Sequence, residues 1–165
     1  LILEIIKYLN NQGFDCCIDF INKSDHSVIR NYANKISFPL NKLKIYEMKH
    51  SDIKFHLNRF DFGFIFYETT IWRSVCSPTK MGEFLAAGIP IISLKGIKVI
   101  EYYNSKYDFI HLLSKNEIKN KTFLFKLIPF IKNFKNNQNC QLIARRDFDI
   151  NIANNLYKKI YKEIL

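Results

Sequence analysis

Apolar positions along this chain change period repeatedly, and each change marks an element. Ile2, Ile5, Ile6 and Leu9 recur at helical spacing and run out near Gly13, which predicts a first helix over 1–9. Residues 15–21 then read as a strand, 25–35 as a helix entered from Ser24, and 43–48 as a second strand. The pair Ser51-Asp52 is expected to cap a helix reaching about Arg59. An apolar run over 62–67 predicts a third strand and the β-branched run 89–92 a fourth, whereas 69–76 between them carries no pattern that fixes a conformation. Further on, the pattern gives a short helix around 98–104, a strand over 107–113, a helix over 117–134, a polar loop over 133–139 and a terminal helix over 150–165. Strands alternating with helices define an α/β domain.

The most informative stretch is Ser77-Pro78-Thr79-Lys80-Met81-Gly82-Glu83-Phe84-Leu85-Ala86-Ala87-Gly88, running into Ile89-Pro90-Ile91-Ile92. Ser77 is a good N-cap, Pro78 suits the first helical position, and Gly88 can adopt the left-handed conformation that closes a helix. At 100° per residue Met81, Phe84, Leu85 and Gly88 share one face, and Thr79, Glu83, Ala86 and Ala87 lie on the other. Glu83 is therefore expected to point away from the core. Strand, loop, helix and strand in this order make a right-handed crossover of a parallel sheet. Ligands of such sheets bind beyond the carboxyl ends of the strands, where a helix offers free backbone N–H groups to an anion, so 74–80 falls at a binding edge. A doubly wound sheet normally begins on a strand, while this pattern begins on a helix. The expected fold is a Rossmann-like, doubly wound parallel sheet lacking its first strand.

Residues 77–92 resemble the donor-site helix of glycosyltransferases of the two-Rossmann (GT-B) architecture, especially glycosyltransferase family 4, in which the pattern S-P-x-K-x-x-E-Y-L-A-x-G-x-P-V-I recurs. A weaker likeness extends upstream through Met48-Lys49-His50-Ser51-Asp52-Ile53, Leu57 and Phe60-Asp61-Phe62-Gly63. Many members carry two glutamates with seven residues between them; here the second is Glu83, and Val75 stands where the first would be. The resemblance implies a carboxy-terminal, nucleotide-sugar-binding domain spanning 1–165, an amino-terminal acceptor domain outside this sequence, and transfer of a sugar to a glycan or lipid-linked acceptor. It also implies that no metal is needed at this site, and that part of the surface of the last helix faces the amino-terminal domain.

Length and charge alter this picture little. A chain of 165 residues can bury one sizeable core. The net charge of +10 invites a nucleic-acid reading, but the lysines are scattered rather than gathered into a stripe, so no specific nucleic-acid partner is expected. A basic surface would favour a diphosphate or an anionic membrane face by long-range attraction. Cysteines at 16, 17, 76 and 140 have no metal-site spacing, and nothing marks a secretory signal, so a reduced, cytoplasmic setting is expected. The inner face of the membrane is where a lipid-linked acceptor would be met. No apolar run reaches the roughly 18 to 20 residues that span a bilayer. Residues 122–134, rich in Phe, Leu and Ile, read as core packing, with a membrane-surface helix as the alternative and Pro129 against it. The terminal segment places Ile152, Leu156, Ile160 and Ile164 at intervals of four among Lys158, Lys159 and Lys162, an amphipathic helix expected to pack on its own domain.

Breaking the bond between an anomeric carbon and a phosphate oxygen builds negative charge on the leaving diphosphate, which a site must stabilise. Lys80 and Arg73 are the local cations suited to that; each is also readable as a solvated side chain. For Glu83 the resemblance implies hydrogen bonds from the ribose hydroxyls of the donor, and the plain alternative is an exposed helix glutamate paired with Lys80. Ser77 and Thr79 read as capping residues near the ligand, and Gly82 as permitting either close packing or ligand approach. Lys95-Gly96 after the fourth strand is either a turn or a further backbone N–H at the donor, and Glu68 sits at the same edge. His26, His50, His56 and His111 form no metal spacing and read as structural or exposed. No catalytic residue is assigned. Two rivals remain: a nucleotide-sugar epimerase of the same architecture, and a non-catalytic α/β binding module in which the motif is only a well-capped helix.

Overall fold

A computed structural model describes residues 1–164 except 24, 68–69, 77 and 135–137, and without the side chains of Arg73, Gln138, Ala153, Leu156, Glu163 and Ile164. The expectations for Ser77 and Glu68 lie outside the described residues. The protein is α/β, with two small parallel sheets. One pairs β1 (Ile18–Ile21) with β2 (Leu43–Tyr46), and the other orders β3 (Gly63–Ile65), β4 (Ile91–Leu94) and β5 (Ile110–Leu113) side by side.

Alternation along each strand sorts side chains into two cores. Ile18, Leu43, Ile45, Ile92, Leu94 and Leu113, with Phe62 and Phe64, face a first core. It is closed by α1 (Ile2–Asn11), by α2 (Ser27–Lys35) and the residues just after it, and by α7 (Lys115–Lys119) and α8 (Leu124–Asn133). Ile65, Ile91 and Ile110 face a second core, closed by α5 (Thr79–Ala86), α6 (Lys98–Asn104) and α9 (Gln138–Asp147). The first core draws on both sheets, so the two sheets share one apolar layer.

Several expectations shift. α3 (His50–Leu57) starts one residue early, with Lys49 at the cap and no side-chain cap bond, so Ser51 and Asp52 lie inside the first turn. Residues 71–75 form a short helix, α4 (Ile71–Val75), where no conformation was expected. The long helix over 117–134 is two. Ser114 and Glu117 make a reciprocal capping box that starts α7, the chain turns at Lys121 with φ 61°, and α8 re-enters with Pro129 inside it. A straight helix would have turned Ile118 about 140° away from Phe123, which is five residues on, whereas the break lets Ile118, Phe123 and Leu127 all reach the first core. Core packing therefore holds for much of 122–134, with Phe125 left at the surface. The polar stretch before the terminal helix ends in α9, whose Cys140, Ile143 and Ala144 are buried. Finally, α10 (Ile150–Ile164) leaves Ile150, Ile152, Tyr157, Ile160 and Tyr161 exposed, so these residues do not pack on the domain as expected. Among the described side chains, the last buried ones belong to α9.

Candidate functional site

The site is built around α5. Its C-terminus closes in the way the sequence implies. Gly88 has φ 75°, its N–H bonds Leu85 O at 3.0 Å, and the Ile89 N–H bonds Phe84 O at 2.9 Å, the pair of bonds that defines a Schellman closure. The start differs by one residue. Pro78, extended at ψ 119°, occupies the cap position, and Thr79 is the first helical residue. Without a side-chain bond from Pro78, the first N–H groups of α5 are left to solvent, to a ligand, or to backbone bonds such as Met81 N–H to Pro78 O at 2.9 Å.

Two glycines fix the helix in place. A Cβ at Gly63 would lie 2.4 Å from the ring of Phe84, so β3 approaches α5 more closely than any other residue type would allow. A Cβ at Gly82 would come within 3.1–3.2 Å of Phe148, at the end of α9. Gly82 therefore faces a helix neighbour, in line with the close-packing alternative. Met81 and Leu85 are fully buried between these contacts. Behind them α9 is tied down by Asp147, which accepts from Tyr103 Oη at 2.7 Å and from Arg146 Nε at 2.6 Å; the guanidinium beside it holds the Asp147 carboxyl below its usual range.

On the outer face, Thr79 and Lys80 are exposed at the carboxyl edge of β3, and among the described residues Lys80 makes no salt bridge. Glu83 is half-buried, and its partner is not Lys80. Its Oε1 accepts from His50 Nε2 at 3.0 Å, across from the head of α3. The pair lines a groove of about 550 Å³ between α3 and α5, together with Ile53, Leu57, Ala86 and Ala87. Arg73 lies within α4, its side chain beyond description, beside exposed Ile71, Trp72 and Val75. The structure thus brings Thr79, Lys80 and Glu83 together on one short helix, adds His50, and turns Gly82 toward α9.

His50 is the participant that the sequence did not reveal. His50 opens α3, the helix after β2, whereas Glu83 is the fifth residue of α5, the second helix after β3. Thirty-three residues separate the two, so no local pattern in the sequence joins them. Lys95-Gly96 resolves as a turn. The Lys95 N–H bonds Leu113 O at 2.9 Å and the Gly96 N–H bonds Glu101 Oε1 at 2.7 Å, so neither backbone donor is free for a ligand. His111 lies on β5, its ring stacked 5.1 Å from Phe130 of the first core and its pKa lowered by burial. Among the described residues no group of three or more His, Cys, Asp or Glu is arranged to hold a metal ion, and no helix is long and apolar enough to cross a membrane. No family model, curated protein or solved structure matches this chain.

Proposed function

We propose that this chain is the donor-binding, carboxy-terminal domain of a GT-B glycosyltransferase, with a Rossmann-like, doubly wound sheet, acting on a nucleoside-diphosphate sugar. The single observation that carries the reading is the setting of the S-P-x-K-x-x-E stretch. Thr79–Ala86 form a helix capped by Pro78 after β3, with Met81 and Leu85 locked in the core, Lys80 exposed and Glu83 half-buried. Open parallel sheets take their ligands at the carboxyl ends of their strands.

In this reading the first turn of α5 receives the diphosphate. A helix N-terminus stabilises an anion by about 0.3–1 kcal/mol when exposed, too little alone for a leaving diphosphate, so Lys80 supplies the compensating charge, with Arg73 a second cation on the preceding helix. Glu83 accepts from the ribose hydroxyls, since a carboxylate has two oxygens for two donors. His50 already bonds one of those oxygens, and a bound ribose either shares Glu83 with it or displaces it. Thr79 and Ser77 flank the diphosphate. The scheme calls for no metal and places acceptor activation in an amino-terminal domain. The acceptor is a glycan or a lipid-linked saccharide, met on the cytoplasmic side at the inner face of the membrane.

Titration of the chain with uridine, guanosine and adenosine diphosphates, followed by calorimetry, tests the reading. Saturable binding of at least one, weakened by Lys80→Met more for the diphosphate than for the matching nucleoside, is the expected result. Absence of saturable binding to any of them in the full-length protein contradicts it and leaves α5 as a well-capped structural helix.

A further inference from the structure

Every described side chain of α10 is exposed, apolar and polar alike. The apolar ones, Ile150, Ile152, Tyr157, Ile160 and Tyr161, are between 41% and 69% accessible. A helix of 15 residues is marginal in water without tertiary packing, even when it is rich in alanine. This one is not: Asn151, Asn154 and Asn155, and the β-branched Ile150, Ile152 and Ile160, all favour the helix less than alanine does. Its helical form therefore calls for a surface against which the apolar side can lie.

The shape and charge of the helix say what kind of surface fits. At 100° per residue the five apolar positions fall on one arc of about 180°, to which the sequence adds Ala153, Leu156 and Ile164. The opposite arc holds Asn151, Asn154, Asn155, Lys158, Lys159 and Lys162, and the single acid, Glu163, falls next to Ile152 near the border of the two. Tyr157 and Tyr161 lie toward the other border, where a ring can be covered while its hydroxyl stays wet. An arc this wide exceeds the narrow seam that a single partner helix covers. It suits a plane into which the apolar half sinks while the lysines stay level with charged headgroups. Three lysines against one acid on the helix, and a net charge of +10 on the chain, both favour a negative surface. At 15 residues α10 is shorter than the roughly 20 that cross a bilayer, so it suits lying on one rather than spanning it.

We propose that α10 is an interfacial helix that docks the protein on the surface of an anionic lipid bilayer. Ile152, Tyr157 and Ile160 enter the boundary between headgroups and acyl chains, and Lys158, Lys159 and Lys162 pair with the headgroups. The apolar arc supplies the depth of binding, and the lysines supply the preference for negative lipid. Phe125 of α8, also exposed, lies on a separate helix and takes no part. The docking agrees with a lipid-linked acceptor but does not rest on the nucleotide reading. Binding of nucleotides without binding of vesicles contradicts this proposal alone, and the reverse contradicts that reading alone.

Co-sedimentation of the full-length protein with vesicles is the test, using pure phosphatidylcholine and a roughly 3:1 mixture of phosphatidylcholine and phosphatidylglycerol. The protein should bind the mixed vesicles at least about tenfold more tightly, and added salt should erode the difference. Ile152→Glu combined with Ile160→Glu should weaken binding to the mixed vesicles at least about tenfold, because less apolar area enters the boundary. Lys158→Gln, Lys159→Gln and Lys162→Gln together should remove the preference for negative lipid. Phe125→Glu should change neither. Amide exchange over 150–164 in the unaltered protein should slow when mixed vesicles are added, a readout that needs no variant. Equal binding to both vesicles, or none to either, overturns the proposal, the latter because the arc is then covered by protein. Loss of binding with Phe125→Glu but not with the α10 pair moves the contact elsewhere and overturns it too. So does self-association without lipid that the α10 pair abolishes, which would make a second copy the partner.

Discussion

Gly63 and Phe84 illustrate how much of the site depends on single atoms. β3 carries a glycine where the ring of Phe84 presses on its backbone, and that contact holds the outer face of α5 in register with the sheet. Gly63→Ala forces a methyl group 2.4 Å from the ring, so the ring or the helix must move. Overpacking of this kind costs about 1–3 kcal/mol. Chemical denaturation should show a loss in that range, and Gly63→Ala combined with Phe84→Leu should lose less than the sum of the two single changes, since they share one contact. Additive losses would mean that the close approach has no energetic consequence. Gly88 is a different case: its left-handed conformation was legible because a helix end followed by an apolar run requires one residue with φ above zero, and only glycine adopts it freely. Gly63 carried no such signal, because its role comes from a side chain 21 residues away.

At the scale of elements, legibility followed the density of local signals. α5 is marked by a proline before it, a glycine after it and an apolar face between, and it appeared within one residue of its expected start. α9 was missed because, among its described side chains, only Cys140, Ile143 and Ala144 are buried, amid Gln, Arg and Asp, so its apolar stripe is too sparse to show a period. The break between α7 and α8 was equally hidden, although the Ser114-to-Glu117 capping box that starts α7 is a recognisable local pattern. That box has a measurable consequence. Bonds from Ser114 and Lys126 hold the Glu117 carboxyl down from 4.5 to about 2. A carboxyl whose pKa is depressed by folding stabilises the fold above its unfolded value and loses that contribution as pH falls through the folded one. Stability should thus fall as pH is lowered from about 4.5 toward 2, and Glu117→Gln should be less stable at neutral pH with a shallower decline across that window. Denaturation midpoints measured against pH check this; an unchanged slope in Glu117→Gln would assign the acid sensitivity to Asp15, Asp25 and Asp147, whose carboxyls are also held low.

For the whole molecule, class was readable and lateral order was not. Alternating strands and helices announced an α/β domain, but nothing local said that the strands would divide into two sheets, or that α10 would leave Ile152 and Ile160 exposed. The candidate site shows the same division. Thr79, Lys80 and Glu83 could be read from one helix, whereas His50 reaches Glu83 from a helix 33 residues earlier in the chain, through tertiary packing alone. The central claim is that this site holds a nucleoside-diphosphate sugar by its ribose, and the most direct measurement is a cycle on Glu83 in the full-length protein. Hydrogen bonds to a charged group contribute roughly 1.5–3 kcal/mol, so Glu83→Ala should weaken donor binding at least about tenfold, with Glu83→Gln intermediate. Donor lacking its 2′- and 3′-hydroxyls should bind the wild type and Glu83→Ala almost equally, since the groups that distinguish them are gone. Normal binding of the natural donor by Glu83→Ala, or a tenfold gap that persists when both hydroxyls are absent, would contradict the account.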